Sequence, residues 1–389
     1  MHFHFNHNLG GHTEEPDPEL YTGWIQWGAF SPMFRTHCIK NSNNDRRIWT
    51  FPWIYQNNLA RFTRLRQTLI PYIYIAARHT YDSDLAVVLS LYYRQSVDTK
   101  TGLVENWSIW FPPNFQWMNF FTSDLSSSSS STTKSFTLDE MPVYAQAGSI
   151  IPVSPEPRSS RERIGRAHSY WWIIERNTFT YFEYTVSDNT LQFSVSAATS
   201  SFSSFPTSRT YEIQLRGIFS ASNVLLNNVT IPFEPFNELI HGQDGTTNGY
   251  TYDGSTLSII IYIRQPMSTS QSFEIQIQLL ESITHPYLVQ VPTSFVGLLA
   301  RCQSAKARLD YEWGIKTVYM DDYPLLLDAA ATGLRITHSP ATAKDELNAF
   351  FHERMPGACD EIANKITNLD PNLQSILLAQ LQCNLFIDK

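Results

Sequence analysis

Residues 17–40 read DPELYTGWIQWGAFSPMFRTHCIK, and a short strand-like piece precedes them. Behind them Leu59, Phe62, Leu65, Leu69, Ile73 and Ala77 recur at three- and four-residue steps. That spacing predicts a helix over about 59–81. Pro71 falls inside the stretch. A proline has no N–H for an inner helical turn and its ring clashes with the turn before it, so a kink or a split is expected there. Residues 1–97 thus form a first region of strand and helix.

Outward from it the texture changes three times. Residues 98–153 carry short β-type runs such as Ser108-Ile109-Trp110-Phe111, punctuated by Pro112-Pro113. The serine run from Ser126 to Ser131 reads as a flexible surface loop. Across 154–281, stretches such as 178–184 and 272–279 alternate apolar and polar residues between turns of Gly, Asn, Asp and Ser, the pattern of an antiparallel sandwich. Residues 282–389 return to helical spacing, with Leu347, Phe350 and Phe351 and then Ile376, Leu377 and Leu381. No internal repeat is found.

Composition narrows the function classes. The 389 residues, 42% hydrophobic and 16% charged, leave room for two or three cored domains and exclude wholesale disorder. A net charge of -8 repels a phosphate backbone, so nucleic acid is set aside as a partner. No apolar run reaches the ~18 residues of a membrane span. Met1 to His7 lacks the basic and apolar blocks of a signal peptide. The four cysteines form no CxxC pair, so a zinc site is not expected, nor any cofactor. Two readings of them stay open: free thiols throughout, or one bridge among Cys302, Cys359 and Cys383 in an oxidising compartment. The sequons Asn106-Trp107-Ser108 and Asn228-Val229-Thr230 lean towards the second. His2, His4 and His7 alternate like a metal-binding arm, although a ragged chain start is the simpler reading.

Residues 17–40 resemble a segment of glycoside hydrolase family 31, whose members hydrolyse α-glucosidic bonds and related linkages. His7-Asn8-Leu9-Gly10-Gly11-His12 is similar to the family's His-Asp-Ile-Gly-Gly-Phe signature, and residues 62–74 (FTRLRQTLIPYIY) to its final barrel helix. Residues 108–113 (SIWFPP) and 138–152 (LDEMPVYAQAGSIIP) resemble its proximal C-terminal β-domain, and residues 208–217 its distal one. The resemblance runs from about residue 6 to 281 and leaves the tail unplaced.

What the family implies is a (β/α)8 TIM-type barrel, with strand seven ending near Asn8 and strand eight near His37. A whole barrel takes ~250 residues, and roughly 95 cannot close eight strands. The expected fold is therefore an α/β barrel remnant, the last two β/α units, over 1–97. A proximal β-domain (98–153), a distal β-sandwich (154–281) and a helical C-terminal appendage (282–389) follow.

Retaining glycosidases work with two carboxyl groups about 5–5.5 Å apart. In the family both lie upstream of the position of Met1. Asp17 and Glu19 precede the last barrel strand and Asp139-Glu140 falls in a β-domain, so no catalytic residue is expected in this chain. The resemblance assigns sugar binding to His37 and to Arg35 two residues before it. It adds Asn8, where the family has an aspartate, and His12, where it has an aromatic wall residue. Alternation along a strand puts Arg35 and His37 on one face. The change from aspartate to Asn8 removes a charge-assisted hydrogen bond of about 1.5–3 kcal/mol. Trp24, Trp27, Trp49, Trp53, Trp110 and Trp117 are candidate stacking platforms, with burial in cores expected for most of them. The implied partners are an α-glucoside oligosaccharide or glycan and a missing N-terminal portion of the same enzyme. The implied compartment is secretory, lysosomal or extracellular.

There are departures from the family. Ser96-Val97-Asp98-Thr99 skips a central strand, Trp171-Trp172-Ile173-Ile174 lacks a Tyr-Glu-Asp-Asp-Gly turn, and Gly23 replaces a usual arginine. The function expected is that of a truncated α-glucosidase-type hydrolase, inactive alone. The alternatives are a carbohydrate-binding or scaffold β-module, or an incomplete gene model of a full enzyme. With six strands absent, Ile25, Phe30, Phe34, Leu65, Leu69 and Ile73 are expected to keep apolar surface bare. Limited proteolysis is expected to remove the first ~97 residues first.

Overall fold

Asn8–Leu9 (β1) and Arg35–Thr36 (β2) run parallel, Asn8 opposite Arg35 and Leu9 opposite Thr36. Parallel neighbours need a crossover, and helix α1 (Pro18–Ala29) supplies it. The computed structural model describes residues 8–13, 15–40, 44–83, 104–112, 115–126, 131–137, 139–153, 180–187, 189–199, 205–235, 247–289, 294–313, 323–364 and 371–386. The helix starts where the sequence tells it to: Asp17 Oδ1 accepts from the Leu20 N–H at 2.9 Å, and Pro18 needs no partner in the first turn. The predicted long helix is split at Leu69 into α2 (Trp53–Thr68) and α3 (Ile70–Ser83), just ahead of Pro71. The missing N–H and fixed φ of proline suit the first turn of a new helix.

Helix α1 packs on α2, and Leu9, Tyr21, Ile25, Ala29, Phe51, Leu59 and Phe62 close a core of their own. This corrects part of the expected exposure. Ile25 (2% exposed) and Leu69 (3%) are buried, and Phe30, Phe34 and Leu65 pack partly buried against the core. Phe121 and Met141 from the next region cover one side of it.

Strands β3 (Val104–Trp110) and β6 (Ser131–Thr137) pair antiparallel. Strand β4 (Trp117–Asn119) lies between β5 (Leu125–Ser126) and β7 (Tyr144–Gln146). Ser126 and Ser131 are thus strand ends, and the serines between them lie outside the described residues, as do His2, His4, His7, Ser96 to Thr99 and Trp171 to Ile174.

Two antiparallel sheets follow. One is three-stranded in the order β10-β14-β13, with β10 Ser208–Arg216, β13 Gly249–Asp253 and β14 Ser258–Ser268. The other is five-stranded in the order β12-β11-β15-β9-β8. Its strands are β8 Phe182–Ser187, β9 Thr190–Val195, β11 Ala221–Leu226, β12 Val229–Thr230 and β15 Phe273–Leu279. Along β15 the period-two pattern works as read: Phe273, Ile275, Ile277 and Leu279 are buried, with polar residues between them.

The tail is helical. Its helices are α4 (Pro286–Val289), α5 (Phe295–Trp313), α6 (Pro324–Ala330), α7 (Thr332–His338), α8 (Ala343–Ala349), α9 (Met355–Asn364) and α10 (Pro371–Gln380). Phe295, Leu299, Ile336, Leu347, Phe350 and Leu377 join Tyr252, Ile259, Ile275 and Ile277 of both sheets in one continuous core. The contact is close at the β13–β14 turn. The Gly254 N–H donates to Thr337 Oγ1 at 2.8 Å, and a Cβ on Gly254 would stand 2.5 Å from the Gly333 carbonyl oxygen. No described helix is long and apolar enough to cross a membrane. Cys359 and Cys383 form a disulfide, which resolves the two readings of the cysteines. Cys38 and Cys302 are free, and burial pushes the Cys302 thiol up to about 12.

Arg335 and Arg354 both pair with Asp328 and Glu346 and tie α6, α7 and α8 together. Burial alone would raise the Glu346 carboxyl, but hydrogen bonds from Arg354 and Arg335 outweigh it and hold the group below its ordinary value. A lowered folded pKa stabilises above the unfolded value and is lost as pH falls through the folded one. Urea midpoints should therefore drop below about pH 4, and Glu346→Gln should flatten that acid limb. Identical acid limbs for the two proteins would refute this.

Candidate functional site

The turn after β1 is made by two left-handed glycines, Gly10 (φ 87°) and Gly11 (φ 72°). At Gly10 no side chain fits in any case, since a Cβ would lie 2.7 Å from the Tyr21 ring. The turn delivers His12 beyond the end of β1, and β2 delivers His37 beyond its own. The two imidazoles stack, ring centroids 4.9 Å apart and planes 22° from parallel. Backbone and side-chain bonds hold the two segments together: the Ile39 N–H donates to the His12 carbonyl at 2.9 Å, and Asn44 Nδ2 to that of Thr13 at 2.5 Å.

Below this face Tyr21 is fully buried and stacks on Phe51 at 4.7 Å, and its hydroxyl donates to the Arg46 carbonyl at 2.9 Å. Burial pushes the Tyr21 phenol up to about 12, against a smaller opposing pull from Arg46, so it stays a neutral donor. The Arg46 guanidinium is buried beside the same turn, its Nε 2.8 Å from where a Cβ on Gly10 would stand.

Of the four sugar-binding candidates, His12 and His37 touch. Arg35 is exposed on β2, and the Asn8 backbone stands opposite it in the strand register. A neutral imidazole donates through one nitrogen and accepts through the other, and a guanidinium only donates. Together they can hold hydroxyl groups. Among the described residues no three His, Cys, Asp or Glu side chains gather as a metal site.

The carboxylates weighed from the sequence have other work. Asp17 caps α1. Asp139 accepts from Asn58 Nδ2 at 2.6 Å and from Ser304 Oγ at 2.8 Å. Glu140 receives Arg301 through two nitrogens, at 2.8 and 2.7 Å. The expected burial of most tryptophans fails: Trp27 (39%), Trp49 (68%), Trp53 (39%) and Trp110 (53%) are exposed. Their neighbours in sequence look no different from those of a core indole, so no local signal separates the two. Gly23 is open, with no atom within 4 Å of where a Cβ would stand.

Parallel strands joined by a helix, with polar side chains gathered past their carboxyl ends, have the layout of a barrel enzyme's working face. Residues 3–76, which include all four candidates, match the glycosyl hydrolases family 31 TIM-barrel domain. Over that stretch the chain is similar to glycoside hydrolase family 31. It is 24% identical over 190 residues to an alpha-xylosidase of Saccharolobus solfataricus, covering 42% of this chain and 25% of that protein. With neutral alpha-glucosidase C of Mus musculus it shares 27% identity over 167 residues, 38% of this chain and 18% of the other. The chain spans a quarter or less of the length of these curated relatives. A family 31 dextranase of Flavobacterium johnsoniae, solved with glucose, matches with a TM-score of 0.53 at 17% identity, over 68% of this chain and 37% of that one. The cycloalternan-forming enzyme of Listeria monocytogenes, solved with a pentasaccharide substrate, matches at 0.52 and 14%, over 70% and 29%. At these identities the likeness speaks for the fold.

Proposed function

We propose that the chain is the C-terminal part of an α-glucosidase-type hydrolase that keeps one wall of the sugar site and lacks the catalytic pair. In this reading β1, α1, β2 and the α2–α3 pair are the last two β/α units of the barrel, β3 to β7 the proximal β-domain, and β8 to β15 the distal sandwich. The observation that carries it is the His12–His37 stack past the ends of two paired parallel strands, inside the matched barrel stretch. His37, Arg35, Asn8 and His12 would bind hydroxyls of an α-glucoside or glycan. Cleavage of the bond needs a nucleophile and an acid/base, and these would come from the rest of the barrel.

The purified chain is accordingly expected to release no p-nitrophenol from p-nitrophenyl α-glucoside and no glucose from maltose. Turnover above a heat-inactivated sample would sink the proposal. A second reading, a carbohydrate-binding β-module, is favoured by Trp110 and Phe115 (47% exposed) on the β3–β7 region. Calorimetry with maltose separates the two: binding lost in His37→Ala belongs to the barrel wall, and binding indifferent to it belongs to the β-domains.

A further inference from the structure

Strands β11 and β12 are joined by Asn227-Asn228, both left-handed, with φ of 49° and 65°. Leu226 pairs with Val229 and Leu225 with Thr230, so this is a two-residue hairpin with positive φ at both central positions. Asparagine accepts that conformation better than other residues with a side chain. The two asparagines divide the work. Asn227 is held: its Oδ1 accepts from the Glu274 N–H at 2.9 Å, and its own N–H donates to the Glu274 carbonyl at 2.8 Å. Asn228 is exposed at the tip and opens the triplet Asn228-Val229-Thr230, whose Thr230 is exposed as well. The other sequon is placed differently, since Asn106 lies within β3 with its backbone paired to Ser135.

We propose that Asn228 is an N-glycosylation site. The Asn228 carboxamide nitrogen attacks the anomeric carbon of an oligosaccharide carried on a polyprenyl diphosphate. A C–N bond forms and the C–O bond to the diphosphate breaks. The amide proton goes to a base of the transferase, and the lipid diphosphate leaves with the electron pair. An independent observation points to the same compartment: the Cys359–Cys383 bridge forms where thiols are oxidised, which is where such transferases act. The glycan would also do physical work. Strand β12 is an outer strand of its sheet, and Val229 beside the site is 67% exposed. A bulky polar group at that tip covers the apolar side chain and hinders edge-to-edge pairing.

The test is translation of the full chain, behind a cleavable secretion signal, with microsomes of the endoplasmic reticulum. An Asn-Gly-Thr tag at the C-terminus reports entry. Asn228→Gln and Thr230→Ala should each migrate one glycan faster than the unsubstituted chain. Thr230→Ser should keep the step, and peptide N-glycosidase should remove it. If both variants co-migrate with the unsubstituted chain while the tag is glycosylated, the proposal is wrong.

Discussion

Glu140→Ala is expected to cost about 3 kcal/mol of stability, at the lower end of what removing one partner of a buried ion pair costs. Arg301 is 5% exposed, and Glu140 meets it with both carboxylate oxygens while also accepting from the Thr137 N–H at 2.9 Å. Folding has already stripped water from the guanidinium. Without the carboxylate, the charge stays buried with weaker partners such as the Gln380 carbonyl at 3.2 Å. The Glu140 side chain is 20% exposed, so some water can enter, which sets the estimate at the low end. Arg301→Ala should cost less, because the carboxylate it leaves can reach solvent. The double variant should cost less than the two singles added. Urea unfolding of the four proteins measures this cycle, and strict additivity would mean that the pair is energetically idle.

Phe62→Ala is expected to cost about 3–5 kcal/mol, as the loss of a fully buried aromatic ring does. Phe62 is 0% exposed and meets Phe121 edge-on at 5.8 Å. The cost should fall locally. Its core, with Leu9, Tyr21, Ile25 and Leu59, is distinct from the large one shared by sheets and tail. Limited proteolysis should therefore clip the variant within residues 8–83 under conditions that spare the unsubstituted chain, and leave the sheets and helices of the large core whole. Equal clipping of both proteins would show that this core contributes nothing.

Local rules carried far in this chain. Pro71 announces the break between α2 and α3, Asp17 the start of α1, and the alternation along 272–279 the buried face of β15. The four candidate residues come from a motif, and the structure adds what a motif cannot contain, the ring contact between His12 and His37. What stayed hidden depends on partners far along the chain. Asp139 and Glu140 look like any acidic pair, yet their partners Asn58, Ser304 and Arg301 lie 81, 165 and 161 residues away. The tail read as an appendage because helical spacing shows that a helix has an apolar face and not what the face will meet.

The contact between Gly254 and Gly333 has a consequence for ancestry. A side chain at 254 would strike the carbonyl oxygen of Gly333, and one at 333 would strike Leu299 and Ser255. Both positions therefore need glycine where the helices pack against the β13–β14 turn. A pair of sheets like these without the helices has no reason to refuse a side chain at 254. Where the helices are present, both glycines should be inherited with them.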